Sequence, residues 1–168
     1  MIRNATNADS LAIADIHNHY ILNTVVTFEE DTITAAEMQR RITDIEARYL
    51  WLVYEENGIV VGYAYAGPWK ARSAYRYAVE STVYLHTAHT GKGIGKLLYA
   101  KLIEGLKEIN IHSVIGGIAL PNDASIKLHE RLGFKNIGQF IEVGLKFGKW
   151  VDVGYWELIL ENKPRFSV

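Results

Sequence analysis

The sequence predicts a single α+β domain with a mixed, mostly antiparallel central sheet flanked by helices. Three observations carry that expectation. First, the β-rich run Ser81-Thr82-Val83-Tyr84-Leu85 leads through Gly91, Gly93 and Gly95 into Leu97, Leu98, Tyr99, Leu102, Ile103 and Leu106 at helical spacing. Second, Tyr49 to Tyr54 and Ile59 to Ala66 flank Glu56-Asn57-Gly58 and read as a hairpin. Third, helical patterns precede this hairpin and strand patterns close the chain, with no linker, repeat or low-complexity stretch between them. Residues 1–161 therefore read as one domain and 162–168 as a polar tail.

The remaining elements follow in order. A short strand starts near Ile2. Thr6 and Asp9 have capping-box spacing ahead of Leu11, Ile13, Ile16 and Tyr20, which mark a first helix. The segment Tyr20 to Glu30 is apolar but irregular, and a second helix spans about Thr34 to Ala47. Gly67-Pro68 is expected to end the hairpin, leaving a cation-rich loop from Pro68 to Tyr75. Glu80 then heads the central strand. Ser113 to Ile118 is another strand, Pro121-Asn122-Asp123 caps a helix from Ala124 to Leu132, and two strands lie near Lys135 to Phe140 and Val153 to Leu160.

Composition narrows the functional classes. The 168 residues are 49% hydrophobic, enough for a packed core. A net charge of −1 offers no general attraction to nucleic acid or an anionic membrane. No apolar run has the length of a membrane span, and Met1-Ile2-Arg3-Asn4 opens no signal segment, so a cytoplasmic protein is expected. There is no cysteine, which excludes disulfides, thiolate metal sites and a cysteine acyl-enzyme. His17 with His19, and His86 with His89, lack a nearby carboxylate ligand set, so no metal is expected.

The glycine turn between strand and helix is the strongest functional signal. Glycines there let the backbone approach an anion with its N–H groups free, at the positive end of a helix dipole. Lys92 and Lys96 add charge. A tight connection without a ligand is the plainer alternative. The P-loop pattern is absent, because Gly93 follows Lys92 and Leu97 follows Lys96, so no hydroxyl is placed for magnesium. The dinucleotide pattern also fails, with Lys96 or Leu98 in its last position. What remains is the pyrophosphate loop of coenzyme A-dependent N-acetyltransferases, fitted by Gly93-Ile94-Gly95, with Thr90 where a Gln or Arg is usual.

Several side chains could carry chemistry. Glu80 shares a strand face with Thr82, Tyr84 and His86, and a carboxylate entering an apolar strand suits a general base; an exposed strand end is the alternative. His129 lies in a helix with Ile126, Leu128 and Leu132 and, taken alone, is an ordinary core or surface histidine. Asn122 and Ser125 could cap their helix or face a cofactor. Tyr99 is core by default. Lys70, Arg72 and Arg76, set beside aromatic rings, form either a solvated loop or a clamp for an anionic substrate.

Together these segments resemble the GNAT superfamily of N-acetyltransferases, and within it the enzymes that acetylate phosphinothricin, methionine sulfoximine and methionine sulfone. The resemblance covers nearly the whole chain. It is carried by NHYI at Asn18–Ile21, YAGPWKAR at Tyr65–Arg72, ESTVYL at Glu80–Leu85, GKGIG at Gly91–Gly95, LPNDASIKLHERLGF at Leu120–Phe134 and KFGKWVDVGYWEL at Lys146–Leu158. It implies acetyl-CoA as co-substrate in a V-shaped opening between two central strands. Val83, Tyr84 and Leu85 would meet the pantetheine arm, Gly91, Lys92, Gly93, Ile94, Gly95 and Lys96 the pyrophosphate, and Asn122 and Ser125 would add contacts. Glu80, His129 and Tyr99 fall on positions proposed as catalytic. Tyr20, Phe28, Lys70, Arg72, Glu80, Ser81 and Thr82 would surround a small amino-acid-like acceptor. A homodimer is implied. Another small amine or a protein N-terminus as acceptor, a non-catalytic acyl-CoA-binding module and a phosphotransferase are the competing readings.

Overall fold

The computed structural model describes residues 1–161, and the expected tail at 162–168 lies outside the described residues. Asn57 and Gly58 both take positive φ, 52° and 80°. Two left-handed residues in succession make a turn whose twist matches the flanking strands. They join β2 (Trp51–Glu56) to β3 (Ile59–Pro68) in antiparallel register. The hairpin forms as expected, its pairing ending at Trp51↔Tyr65, while β3 continues through Gly67 to a last rung, Pro68 with Val79, on its other side. A strand's last rung is where proline's missing donor costs least.

β1 (Ile2–Asn4) extends the sheet beyond β2, and β4 (Ala78–Leu85) lies on the far side of β3. Glu80 thus sits two residues inside its strand instead of heading it. β5 (Ser113–Ala119) runs parallel to β4, and β7 (Lys149–Ile159) and β6 (Lys135–Lys146) complete the order β1-β2-β3-β4-β5-β7-β6. Every neighbouring pair except β4 with β5 is antiparallel. The last hairpin is far longer than expected. Register shifts between Asn136 and Gly138 and between Phe140 and Gly144 interrupt the two-residue alternation, which hid its middle from a periodicity reading.

Two helices cover each face. α1 (Ser10–Asn23) and α2 (Ala35–Glu46) bury Ile13, Ile16, Met38 and Ile42 against Trp51, Val53, Tyr63 and Tyr84. α3 (Ile94–Glu108) buries Leu98, Tyr99, Leu102 and Leu106 on the opposite face, against Val61, Ala64, Val79 and Val114. Each fully buried large apolar side chain contributes about 1.5–3 kcal/mol. α4 (Asp123–Arg131) joins this second face through Ile126 and Leu128. Side chains finish two helix starts: Asn122, as the sequence suggests, accepts from the Ser125 amide, and Thr34, expected inside its helix, caps it by accepting from the Glu37 amide. The Thr6 amide donates to Asp9 Oδ2 at 2.7 Å, and Arg3 grips both Asp9 oxygens.

Candidate active site

β4 and β5 pair only at Ala78↔Ser113, Val79↔Val114 and Glu80↔Ile115, and then diverge. From Ser81 to Leu85, β4 keeps β3 on one side and has no strand on the other. The divergence exposes a backbone edge in the middle of the sheet, and Glu80 stands at its apex. An unpaired edge of this kind can hydrogen-bond an extended amide chain.

The edge opens into a groove with a cavity of about 580 Å³, the size of a cofactor site. Its floor is Val83, Tyr84 and Leu85, and one wall is the turn from Thr90 to Lys96. Gly91 and Gly93 have φ of 73° and 81°, which side chains rarely tolerate, and open space lies where their Cβ atoms would be. Gly93 is the N-cap of α3, so the free N–H groups of that helix's first turn border the groove. The facing wall is α4, with Ala124, Ser125, Lys127, Leu128 and Arg131. Three cations, Lys96, Lys127 and Arg131, therefore surround a backbone cradle. This donor set fits a phosphorylated ligand. The Thr90 hydroxyl is committed locally, donating to Thr87 O at 2.9 Å.

Behind the α4 wall lies a closed hydrogen-bond chain. His129, 4% exposed, has Nδ1 at 2.8 Å from the Ser125 carbonyl and Nε2 at 2.9 Å from the Tyr99 hydroxyl. A carbonyl can only accept, so Nδ1 bears the proton and Nε2 accepts from Tyr99. The Tyr99 oxygen then accepts from Ser81 Oγ at 2.5 Å, with the Ile115 carbonyl 3.2 Å away as a second acceptor for that hydroxyl. Burial pushes the His129 pKa down, against a smaller opposing effect of the Ser125 carbonyl. The imidazole is thus neutral and fully satisfied. Its place exists because residue 116 is glycine: a Cβ there would overlap the ring.

On the other face of the sheet, Glu80 Oε1 and the Tyr155 ring both lie over Gly117, 3.1 Å and 3.3 Å from where a Cβ would be. Trp69 and Phe140 meet Tyr155 edge-on, with ring centroids 5.7 Å and 5.6 Å apart. Burial raises the Glu80 pKa, and the Lys70 ammonium offsets part of that rise. Burial, then the Glu80 charge, raises the Tyr155 pKa as well. Lys70 Nζ rests 4.4 Å from the Trp69 ring centroid. The result is a half-buried carboxylate with aromatic walls and a neighbouring cation.

The structure brings together most of the residues singled out from sequence. Val83, Tyr84, Leu85, Gly91, Gly93, Gly95, Lys96, Asn122 and Ser125 all line the groove, and so does Tyr20, whose hydroxyl donates to the Leu85 carbonyl at 2.7 Å. Lys92 is exposed outside it, and the Ile94 side chain turns into the core. Thr82 shares the Glu80 face. Ser81 does not: β-strand alternation points it at Tyr99, away from the acceptor candidates. The Tyr99 hydroxyl ends on His129 and Ser81, and the ring is fully buried. Phe28 covers Gly144 of β6, and Arg72 is an exposed residue ahead of a short 3₁₀ turn. Sequence reasoning missed Lys127 and Arg131, which share a helix face with Ala124 and Leu128, and Tyr155. Helical spacing from Asn122 and Ser125 could have found the first two. Nothing local marks Tyr155. Among the described residues, no group of three or more His, Cys, Asp or Glu is placed to hold a metal, and no helix is long and apolar enough to cross a membrane.

Comparison with known proteins agrees with this geometry. Residues 2–154 match the acetyltransferase (GNAT) domain family. The chain is 46% identical to a phosphinothricin N-acetyltransferase of Streptomyces viridochromogenes over 156 residues, 93% of this chain and 85% of that protein. It is 42% identical to an L-methionine sulfoximine/L-methionine sulfone acetyltransferase of Salmonella typhimurium, covering 96% of this chain and 95% of the relative. A crystal structure of a GNAT superfamily phosphinothricin acetyltransferase from Sinorhizobium meliloti in complex with acetyl-CoA superposes with a TM-score of 0.95 at 36% identity, over 100% of this chain and 94% of that one. With its sheet order, its divergent central strands and its glycine-capped helix matched at this level across nearly its full length, the chain belongs to the GNAT family and is an N-acetyltransferase of that type.

Proposed function

We propose that this enzyme transfers the acetyl group of acetyl-CoA to the α-amino group of a small amino-acid-like acceptor such as phosphinothricin, methionine sulfoximine or methionine sulfone. The observation that carries the reading is the divergence of β4 from β5 at Glu80. It connects a phosphate cradle on one face to a carboxylate in an aromatic setting on the other. The names of the relatives support the choice of acceptor class.

Bound acetyl-CoA supplies an activated carbonyl and a thiol leaving group. The rest is the work of the chain. The α3 N-terminus with Lys96, Lys127 and Arg131 holds the phosphates. The free edge at Val83–Leu85 positions the amide arm, and its N–H groups offer donors where negative charge develops on the acyl oxygen. Glu80 takes the proton from the acceptor's ammonium, directly or through water. Its raised pKa suits that task near neutral pH better than an ordinary carboxylate would. His129 is the weaker candidate, because both ring nitrogens are occupied and buried. With no cysteine to receive the acetyl group, transfer is direct. Tyr99, His129 and Ser81 hold α3, α4 and β4 in register. Lys70, whose charge acts on Glu80, would meet the acceptor's anionic end, with Arg72 as the second cation of the same loop.

Assembly as a homodimer is part of the proposal. Ile137, Phe140, Ile141, Val143, Leu145, Phe147 and Trp150 are each more than half exposed along the terminal hairpin, a concentration that suits burial against a second copy. The test is an acceptor panel followed by free-thiol release. Turnover on the three named amino acids, with acetyl-CoA but not ATP raising the Tm, is the expected result. Turnover confined to other amines would reject the acceptor assignment.

A further inference from the structure

The segment between α1 and α2, residues 24–34, carries Phe28 and is fixed from three sides. Glu29 meets Arg41 of α2 through two bonds of 2.9 and 3.1 Å, and His17 of α1 at 3.1 Å. Asn18 bridges both backbone groups of Ile33 at 2.9 Å. The third anchor comes from a distant part of the chain. Lys146, only 2% exposed, donates from Nζ to the Thr27 carbonyl at 2.7 Å. Gly144, two residues earlier and therefore on the same side of β6, has the Phe28 ring where its Cβ would be. Val143 and Leu145, on either side of Gly144, are exposed and point outward. One strand thus grips the backbone beside Phe28 and leaves a recess for its ring.

We propose that Gly144 and Lys146 are positioning residues that set the size of the acceptor chamber by seating Phe28. The inference rests on the proposed placement of the acceptor on the Glu80 face, with Phe28 among the residues that cover it. A side chain at 144 must push the ring away from β6, because its Cβ would overlap Phe28 Cε1, Cζ and Cε2. A neutral side chain at 146 leaves the Thr27 carbonyl without its donor and frees the segment to shift. The coenzyme groove is lined by neither Phe28 nor any β6 residue, so the change at 144 stays clear of it, and the change at 146 touches it only through Val26, next to Thr27. The effect therefore falls on the amine.

The test compares wild type, Gly144→Ala, Lys146→Met and Gly144→Ala/Phe28→Leu with acetyl-CoA and an amine panel. The panel is phosphinothricin, methionine sulfone, methionine sulfoximine and several unrelated primary amines. Gly144→Ala is expected to raise the acceptor KM about tenfold and to change the rank of acceptors by side-chain size, with the acetyl-CoA KM within about twofold of wild type. The smaller side chain at 28 in the double variant should recover much of the loss; since it would relieve strain as well, the split between acceptor and acetyl-CoA KM is what separates positioning from a general loss of stability. Lys146→Met should raise the acceptor KM without reordering the acceptors as strongly. Unchanged acceptor KM and rank in folded Gly144→Ala would overturn the inference, as would parallel rises in both KM values. If that variant does not fold, Lys146→Met decides by the same split. Wild-type turnover only on the unrelated amines rejects the functional reading while leaving the inference testable on those amines; no turnover on any amine rejects both.

Discussion

The two faces of the sheet offer different kinds of contact. The α3–α4 face offers main-chain atoms: a free strand edge, amides at a helix start and glycines with positive φ. The α1–α2 face offers side chains drawn from distant segments: Glu80, Lys70, Trp69, Phe28, Phe140 and Tyr155. Their buried histidines differ in the same sense. His129 donates to a backbone carbonyl and accepts from Tyr99. His17 donates from Nε2 to the Glu29 carboxylate and accepts at Nδ1 from Tyr63. Burial lowers both pKa values, but only at His17 does a carboxylate work against it. A backbone site suits a ligand common to a family, because it tolerates substitution. A side-chain site can change its ligand one residue at a time.

The largest break in this contrast should come from Glu80→Gln. Turnover should fall by about 10²–10⁴-fold while the acetyl-CoA KM holds, as steady-state kinetics will show. The sign for stability is opposite. The folded pKa of Glu80 is raised, so protonation stabilises the fold below its ordinary titration range, and that advantage disappears as pH rises through the folded value. The Gln variant does not titrate there, and its Tm relative to wild type should climb from pH 4 to 8. A Tm difference that is flat with pH would contradict the assignment of the shift to burial.

Gly116→Ala attacks the other face. The added methyl displaces the His129 ring and should cost about 1–3 kcal/mol in urea denaturation. A fully stable variant would mean that the Ser81–Tyr99–His129 chain yields easily. Next in size, Lys70→Ala and Arg72→Ala should raise the acceptor KM about tenfold, the worth of one charged contact, and leave the acetyl-CoA KM alone. Lys127→Ala and Arg131→Ala should do the reverse by several-fold, more at low salt than at high. Mixed effects in either pair would show that the faces are less separate than their geometry. Lys101→Ala, which removes an exposed ion pair with Glu104 on α3, should leave both KM values and the Tm unchanged.

Much of the groove between α3 and α4 was legible because its signals are local. Three alternating glycines, a cap at Asn122 and a strand before the turn lie within short stretches, and backbone donors need no particular side chain. Lys127 and Arg131 escaped notice only because α4 had not been oriented. The acceptor side was less legible. Tyr155 lies 75 positions beyond Glu80 yet shares Gly117 with it, and Gly144 meets Phe28 across more than a hundred residues. The terminal hairpin reads short from sequence because its bulges break the alternation on which strand recognition depends.

The sequence by itself determined the order and type of the elements, the glycine-capped helix and the family to which they belong, since each follows from periodicity, turn chemistry or a contiguous motif. Only the tertiary structure decided which face each side chain serves. It turned Ser81 and Tyr99 toward His129, left Glu80 at the point where two strands part, and placed β6 beneath Phe28. Those outcomes depend on strand register and on contacts between segments far apart in the chain, and no local preference encodes either.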